Sequence, residues 1–177
     1  MRTASFFALS IAVTSLACGF AKAEPDQSGV QPMEIFGWVE RVEILDGKFS
    51  MKAKMDTGAA TSSLDATDIQ RFRRGGERFV RFTVTDDDSG QSAVLEKPLV
   101  RNVRIVRHSG QHQRRPVIEL PVCFGPFYRI VEFTLIDRSN FIYPVLIGRS
   151  TLEGAALIDS GQTFLNYPDC ELRENDS

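Results

Sequence analysis

The 177-residue chain carries 21 basic and 23 acidic side chains, with 42% hydrophobic and 25% charged residues, ordinary globular values that exclude a disordered, collagen-like or coiled-coil chain. One domain with a core of its own fits this length, whereas two full-size lobes do not. The near-balanced, slightly acidic charge argues against a nucleic-acid binder working through bulk charge.

In chain order, Met1-Arg2-Thr3, the apolar run from Phe6 to Phe20 and Ala21-Lys22-Ala23 before Glu24 have the layout of a signal peptide over residues 1–23. The run is too short and too Ser/Thr-interrupted for a membrane span, which takes about 20 predominantly apolar residues. Export to the periplasm or beyond is therefore expected, with no integral membrane segment left after cleavage. Cys18 raises a lipid anchor, but Ser15 stands where a lipobox has Leu, and the cysteine would leave with the leader. Cleavage removes Arg2 and Lys22, leaving 19 basic against 23 acidic residues and a net charge of −4. Residues 24–31 form a polar linker, 32–170 the folded domain and 171–177 a polar tail.

Within the domain, short apolar or alternating runs are separated by turn residues. Phe36 to Ile44 reads as a strand closed by Asp46-Gly47. Phe49, Met51, Ala53 and Met55 alternate with Ser50, Lys52 and Lys54 in a half-buried strand pattern that leaves Asp56 at the strand end. Phe79 to Thr85 alternates again between Gly75-Gly76 and the cluster Asp86-Asp87-Asp88-Ser89-Gly90. Further strands are expected at Ala93–Leu95, Leu99–Val106, Val117–Phe124, Arg129–Ile136 and Val145–Gly148. One short helix opens near Gly148-Arg149-Ser150-Thr151-Leu152, and a last strand runs through Thr163 to Tyr167. So many short strands indicate a closed or folded-over all-β domain.

The sharpest chemical signal is Asp56-Thr57-Gly58-Ala59, directly after an alternating strand. A carboxylate on a tight strand-end turn is held rigidly: Gly58 admits backbone angles that other residues avoid, and Thr57 can bond neighbouring backbone. The triplet alone is also a common turn. A second element lies about 90 residues downstream, the apolar strand Val145-Leu146-Ile147-Gly148-Arg149 leading into the helix.

With these two elements the sequence resembles the retropepsin-like aspartic peptidases, whose single lobe is an all-β closed barrel with one short helix. Within that fold it resembles a bacterial family labelled RimK-related or ATP-dependent zinc proteases. Lys52-Ala53-Lys54-Met55-Asp56-Thr57-Gly58-Ala59, Val80-Arg81-Phe82-Thr83-Val84, Arg114-Arg115-Pro116-Val117-Ile118 and Leu146-Ile147-Gly148-Arg149 carry the likeness, from about Gly37 to Leu165. It implies Asp56 as the catalytic carboxylate, with Thr57 stabilising paired triplets and Gly58 admitting the turn. Ala59 would line the cleft floor, and Leu146, Ile147 and Gly148 would pack beneath the active loop. It also implies a dyad, because two carboxylates must share one proton around a water. This chain supplies one confident triplet, so the second Asp56 would come from the partner of a two-fold homodimer acting on a peptide substrate.

Other readings stay open. The family label promises zinc and ATP, yet neither G-x-x-x-x-G-K-[ST] nor H-E-x-x-H occurs, and no cofactor or metal is expected. A zinc-dependent hydrolase would have to use His108 and His112. Asp159-Ser160-Gly161 repeats the Asp-Ser/Thr-Gly pattern, but only 18 residues follow Asp159, too few for a second lobe, and a turn entering the last strand is the plainer reading. The stretch Arg101 to Arg115 is a positive patch in which Arg107, Arg114 and Arg115 would hold carboxylate-bearing substrates, or else a solvated strand edge. A non-catalytic module of the same fold could use it to recognise acidic or glutamate-rich chains. Cys123 and Cys170, the only mature cysteines, either form a disulfide or stay unpaired. Trp38 reads as a core or interface anchor, and Asp86-Asp87-Asp88 as a solvated hairpin turn rather than a calcium loop.

Overall fold

The computed structural model describes residues 32–45, 48–86, 88–106 and 112–170. They form eleven strands and one helical turn: β1 (Glu34–Ile44), β2 (Phe49–Asp56), β3 (Ser62–Asp65), β4 (Thr67–Arg74), β5 (Glu77–Thr85), β6 (Ser92–Pro98), β7 (Arg101–Val106), β8 (His112–Phe124), β9 (Phe127–Ile136), β10 (Val145–Gly148), α1 (Arg149–Leu152) and β11 (Ala156–Thr163). Among them no helix is long and apolar enough to cross a membrane.

Eight strands make one sheet in the order β11-β1-β2-β10-β3-β9-β8-β7. It curls until β1 meets β8 at Glu43–Cys123 and Ile44–Val122, so that β1, β2, β10, β3, β9 and β8 pair in a closed ring. The expected all-β retropepsin-like architecture with one short helix is what is found. Period-two alternation drives the closure: Phe49, Met51, Ala53 and Met55 of β2 point inward, where they join Phe36, Leu64, Ile118, Leu120, Phe133, Leu135 and Ile147. The smaller sheet β4-β5-β6 contributes Val80, Phe82 and Val84 to the same core.

Three stretches depart from the sequence expectation. The last strand is Ala156–Thr163, not Thr163–Tyr167; residues 164–170 are a strap without strand pairing. Asp159, Ser160 and Gly161 therefore lie inside β11 rather than in a turn before it. Two strands, β3 and β4, were not anticipated. The polar β3 is buried through side-chain hydrogen bonds, and the Arg- and Gln-bearing β4 is an exposed edge of the small sheet. The acidic cluster is more than a solvated turn. Asp86 is buried and its Oδ1 accepts the Asp88 and Ser89 amides, while Asp88 pairs with Arg41 and Lys52 and so pins the β5–β6 hairpin to β1 and β2.

The strap is tied down twice. Cys123 and Cys170 form a disulfide, which resolves the cysteine alternative. Glu40 is fully buried, and its carboxylate accepts the backbone amides of Gly37 (2.5 Å), Leu165 (3.0 Å) and Asn166 (3.2 Å). A buried carboxylate survives only with such partners.

Candidate active site

Asp56 ends β2, and its backbone is fixed by the neighbouring parallel strand, where Gly148 of β10 stands opposite it. Its side chain then folds back onto its own turn. Oδ1 accepts the amides of Gly58 at 3.0 Å and Ala59 at 3.2 Å, and Oδ2 meets the Lys54 ammonium at 2.9 Å. The carboxylate is 23% exposed, reachable from solvent but not adrift in it. The hydrogen bond from Lys54 is the main influence that holds its pKa below the ordinary carboxylate value; partial burial opposes, and the Gly58 and Ala59 amides assist.

Beneath the turn lies the support. Arg149 donates its amide to the Ala59 carbonyl (2.8 Å) and its guanidinium to the Thr57 carbonyl (2.8 Å), locking the loop onto the start of α1. Ser62 accepts the Gly148 amide at 3.0 Å and shares a 3.0 Å hydrogen bond with Thr151. Gly148 is there because nothing larger fits: a Cβ would stand 2.5 Å from the Thr61 carbonyl carbon and 2.7 Å from its oxygen. Asp56, Thr57, Gly58, Ala59, Leu146, Ile147 and Gly148 are thus one connected unit. Ile147 lies in the core, whereas Leu146 faces outward beside Lys54.

Arg138, which sequence reading passed over, completes the surroundings. It is buried, and its guanidinium donates to Ser63 Oγ (2.7 Å) and the Tyr143 carbonyl (3.0 Å) and sits 4.5 Å from the Phe141 ring centre. Burial pulls its pKa down from the arginine value, while the charges of Asp65 and Asp56 pull it back up. No pattern in the sequence pointed to it, and the nearby apolar side chains Phe141 and Ile142 are themselves exposed. Trp38 stands edge-on to Tyr143, with ring centres 5.7 Å apart.

Arg114 is exposed on β8 directly opposite Arg104 of β7, and with Arg78 and Arg101 it lines a cavity of about 390 Å³. Arg115 is engaged by Gln113 Oε1, and Arg107 and His108 lie outside the described residues, as does the side chain of His112. Asp159 copies the local contact of Asp56, its Oδ1 accepting the Gly161 amide at 2.8 Å, but it is exposed on β11 and is not among the groups acting on Asp56.

The family model described as RimB-like, retropepsin-like aspartic endopeptidase RimB, matches residues 35–169. The chain belongs to the RimB-like family. Curated relatives of this RimB-like chain include proteins named probable alpha-L-glutamate ligase from Shewanella pealeana, 32% identical over 117 residues and 65% of the chain, and from Parasynechococcus marenigrum, 34% identical over 112 residues and 62% of the chain. The matches cover 26% and 24% of those relatives, so the chain spans about a quarter of their length. A Legionella pneumophila protein of unknown function has a similar solved structure, with a TM-score of 0.64 and 32% identity over 74% of this RimB-like chain and 96% of its own.

Proposed function

We propose that this RimB-like chain is an exported aspartic endopeptidase, with the Asp56 carboxylates of two subunits forming the dyad. The observation that carries the proposal is the cradle of Asp56: one oxygen fixed by two backbone amides, the other held by the partly exposed Lys54 ammonium, on a loop braced from below. In the dyad, one Asp56 stays protonated because two like charges a few ångströms apart resist double ionisation. The other takes a proton from the water that attacks the peptide carbonyl, and the proton is later passed to the leaving nitrogen. The titration belongs to the pair.

The homodimer is the reading's own requirement. Support for it comes from the apolar side chains left exposed around β11 and the strap, Ile35, Leu157, Leu165 and Tyr167, beside a strand whose outer edge has no partner among the described residues. The substrate is proposed to be a peptide rich in carboxylates. The names of the relatives point to glutamate chemistry, and Arg104 facing Arg114 across a ladder, an unfavourable like-charge pair, suits an anionic ligand. That cavity also favours the second reading, a module that holds glutamate-rich chains without cutting them. Peptide cleavage profiling of wild type against Asp56→Asn separates the two. The substitution keeps the shape but cannot share the proton, so cleavage disappears; equal cleavage by both proteins rejects the dyad.

A further inference from the structure

The outward row of β2 is Ser50, Lys52, Lys54 and Asp56. Lys52 is taken by Asp88 at 2.7 Å, in a cluster shared with Arg41. Lys54 instead reaches two residues along its own strand to Asp56 Oδ2 at 2.9 Å. Its ladder neighbours are Val39 on one side and Leu146 on the other. Neither can accept a hydrogen bond from its side chain, so Asp56 is the carboxylate that holds the ammonium.

This arrangement conflicts with the chemistry proposed for Asp56. The carboxylate has two oxygens, and a dyad needs at least one of them for the shared proton and the water. Oδ1 is taken by the Gly58 and Ala59 amides, and Oδ2 by Lys54. The fixed cations nearby, Arg149 on the Thr57 carbonyl and the buried Arg138 on Ser63 Oγ and the Tyr143 carbonyl, are committed where they stand. Lys54 is not: its side chain is 43% exposed on a flexible four-carbon stem. It can swing away when offered another carboxylate.

We propose that Lys54 is a specificity-determining residue that leaves Asp56 for a carboxylate borne by the substrate next to the scissile bond, freeing Oδ2 for the proton and the water. The exchange keeps the number of ion pairs constant, so it costs little with an acidic substrate and leaves an unpaired ammonium with a neutral one. This inference rests on the peptidase reading above and adds a selection rule to it.

The test uses synthetic peptide pairs with Glu or Gln beside the cleaved bond, turned over by wild type, Lys54→Met and Lys54→Arg. Wild type favours the Glu peptide in kcat/KM by about fivefold, the upper end of the range for a partly exposed ion pair. Lys54→Arg keeps that preference and Lys54→Met abolishes it. A preference undiminished in Lys54→Met, with cleavage still dependent on Asp56, overturns the role of Lys54 and leaves the peptidase standing. A second arm does not depend on cleavage: a fluorescent Glu-containing hexapeptide and its Gln counterpart are titrated into Asp56→Asn and into the Asp56→Asn, Lys54→Met double variant. With the internal partner neutralised, the single variant binds the Glu peptide more tightly than the Gln peptide and the double variant does not discriminate. Equal discrimination by both variants overturns the proposal, and if no protein cleaves either peptide, the peptidase reading falls while this arm still decides the contact.

Discussion

Gly148→Ala tests the brace beneath Asp56. The added Cβ would stand 2.5 Å from the Thr61 carbonyl carbon, 2.7 Å from its oxygen and 2.9 Å from the Ser62 nitrogen. All three are backbone atoms, so no side chain can rotate away, and either β10 or the 59–62 segment must move by several tenths of an ångström. Moving β10 lengthens the 3.0 Å bond from the Gly148 amide to Ser62 and disturbs the Arg149 bond to Ala59. Overpacking of this kind costs about 1–3 kcal/mol, and a weakened buried hydrogen bond adds about 1 kcal/mol. A total near 3 kcal/mol lowers the melting temperature by roughly 6–12 °C for a domain of this size. Gly154→Ala is the control: a Cβ there meets nothing within 4 Å, and its only penalty is the φ of +68°, about 1–2 kcal/mol. Thermal and urea unfolding of both variants supply the comparison. If Gly148→Ala unfolds at the wild-type midpoint, or is milder than Gly154→Ala, the close approach of Gly148 to Thr61 is not real and the brace argument fails with it.

Reducing the Cys123–Cys170 bridge, which closes a span of 47 residues, removes about 4 kcal/mol of stability on loop-entropy grounds. Urea unfolding with and without reductant measures it, and coincident curves refute the estimate. Glu40→Gln turns one acceptor oxygen into a donor facing the amides of Leu165 or Asn166, and it costs about 1–3 kcal/mol in the same assay; a neutral result means the strap is not held by that carboxylate. The pKa of Asp56 in the folded protein lies below its unfolded value, so its contribution to stability is present above the unfolded value and is lost as pH falls through the folded one. The unfolding free energy of wild type minus that of Asp56→Asn therefore drops only toward the acid end of a titration, and a difference that grows on acidification contradicts the Lys54 pairing.

The fold was legible wherever side-chain alternation matched burial. Phe49 to Met55 announced a half-buried strand because every second residue does enter the core, and Val80, Phe82 and Val84 did the same for β5. Legibility failed where burial is achieved by hydrogen bonds. Ser62 and Ser63 of β3 are buried although polar, because Gly148, Thr151 and Arg138 satisfy them, and each of those partners lies more than 70 positions away in sequence. Glu40 was hidden for a related reason: the irregular register between Gly37 and Val39 breaks the alternation, so Val39 and Glu40 are both buried in succession. No single-sequence pattern signals a bulge whose acid is satisfied by amides from residues 165 and 166.

At the site, the local motif proved less informative than what stands behind it. Asp56-Thr57-Gly58 and Asp159-Ser160-Gly161 share the same internal contact, a carboxylate oxygen accepting the amide two residues on, at 3.0 and 2.8 Å. By triplet alone they are equivalent. They part in their ladders: Asp56 is flanked by β10, whose Gly148 allows the 59–62 segment to pass close and whose continuation supplies Arg149, whereas Asp159 lies on the outermost strand, exposed, opposite Gly37 of β1. Rigidity around a carboxylate is therefore a property of the strand beside it; in the sequence, the downstream Leu146-Ile147-Gly148-Arg149 element strengthened Asp56, while the short stretch left after Asp159 spoke against that second triplet. Lys54 belongs to the same lesson. Its place two residues before Asp56 on an alternating strand already put both charges on one face, so the ion pair could be read from spacing alone once the strand was granted.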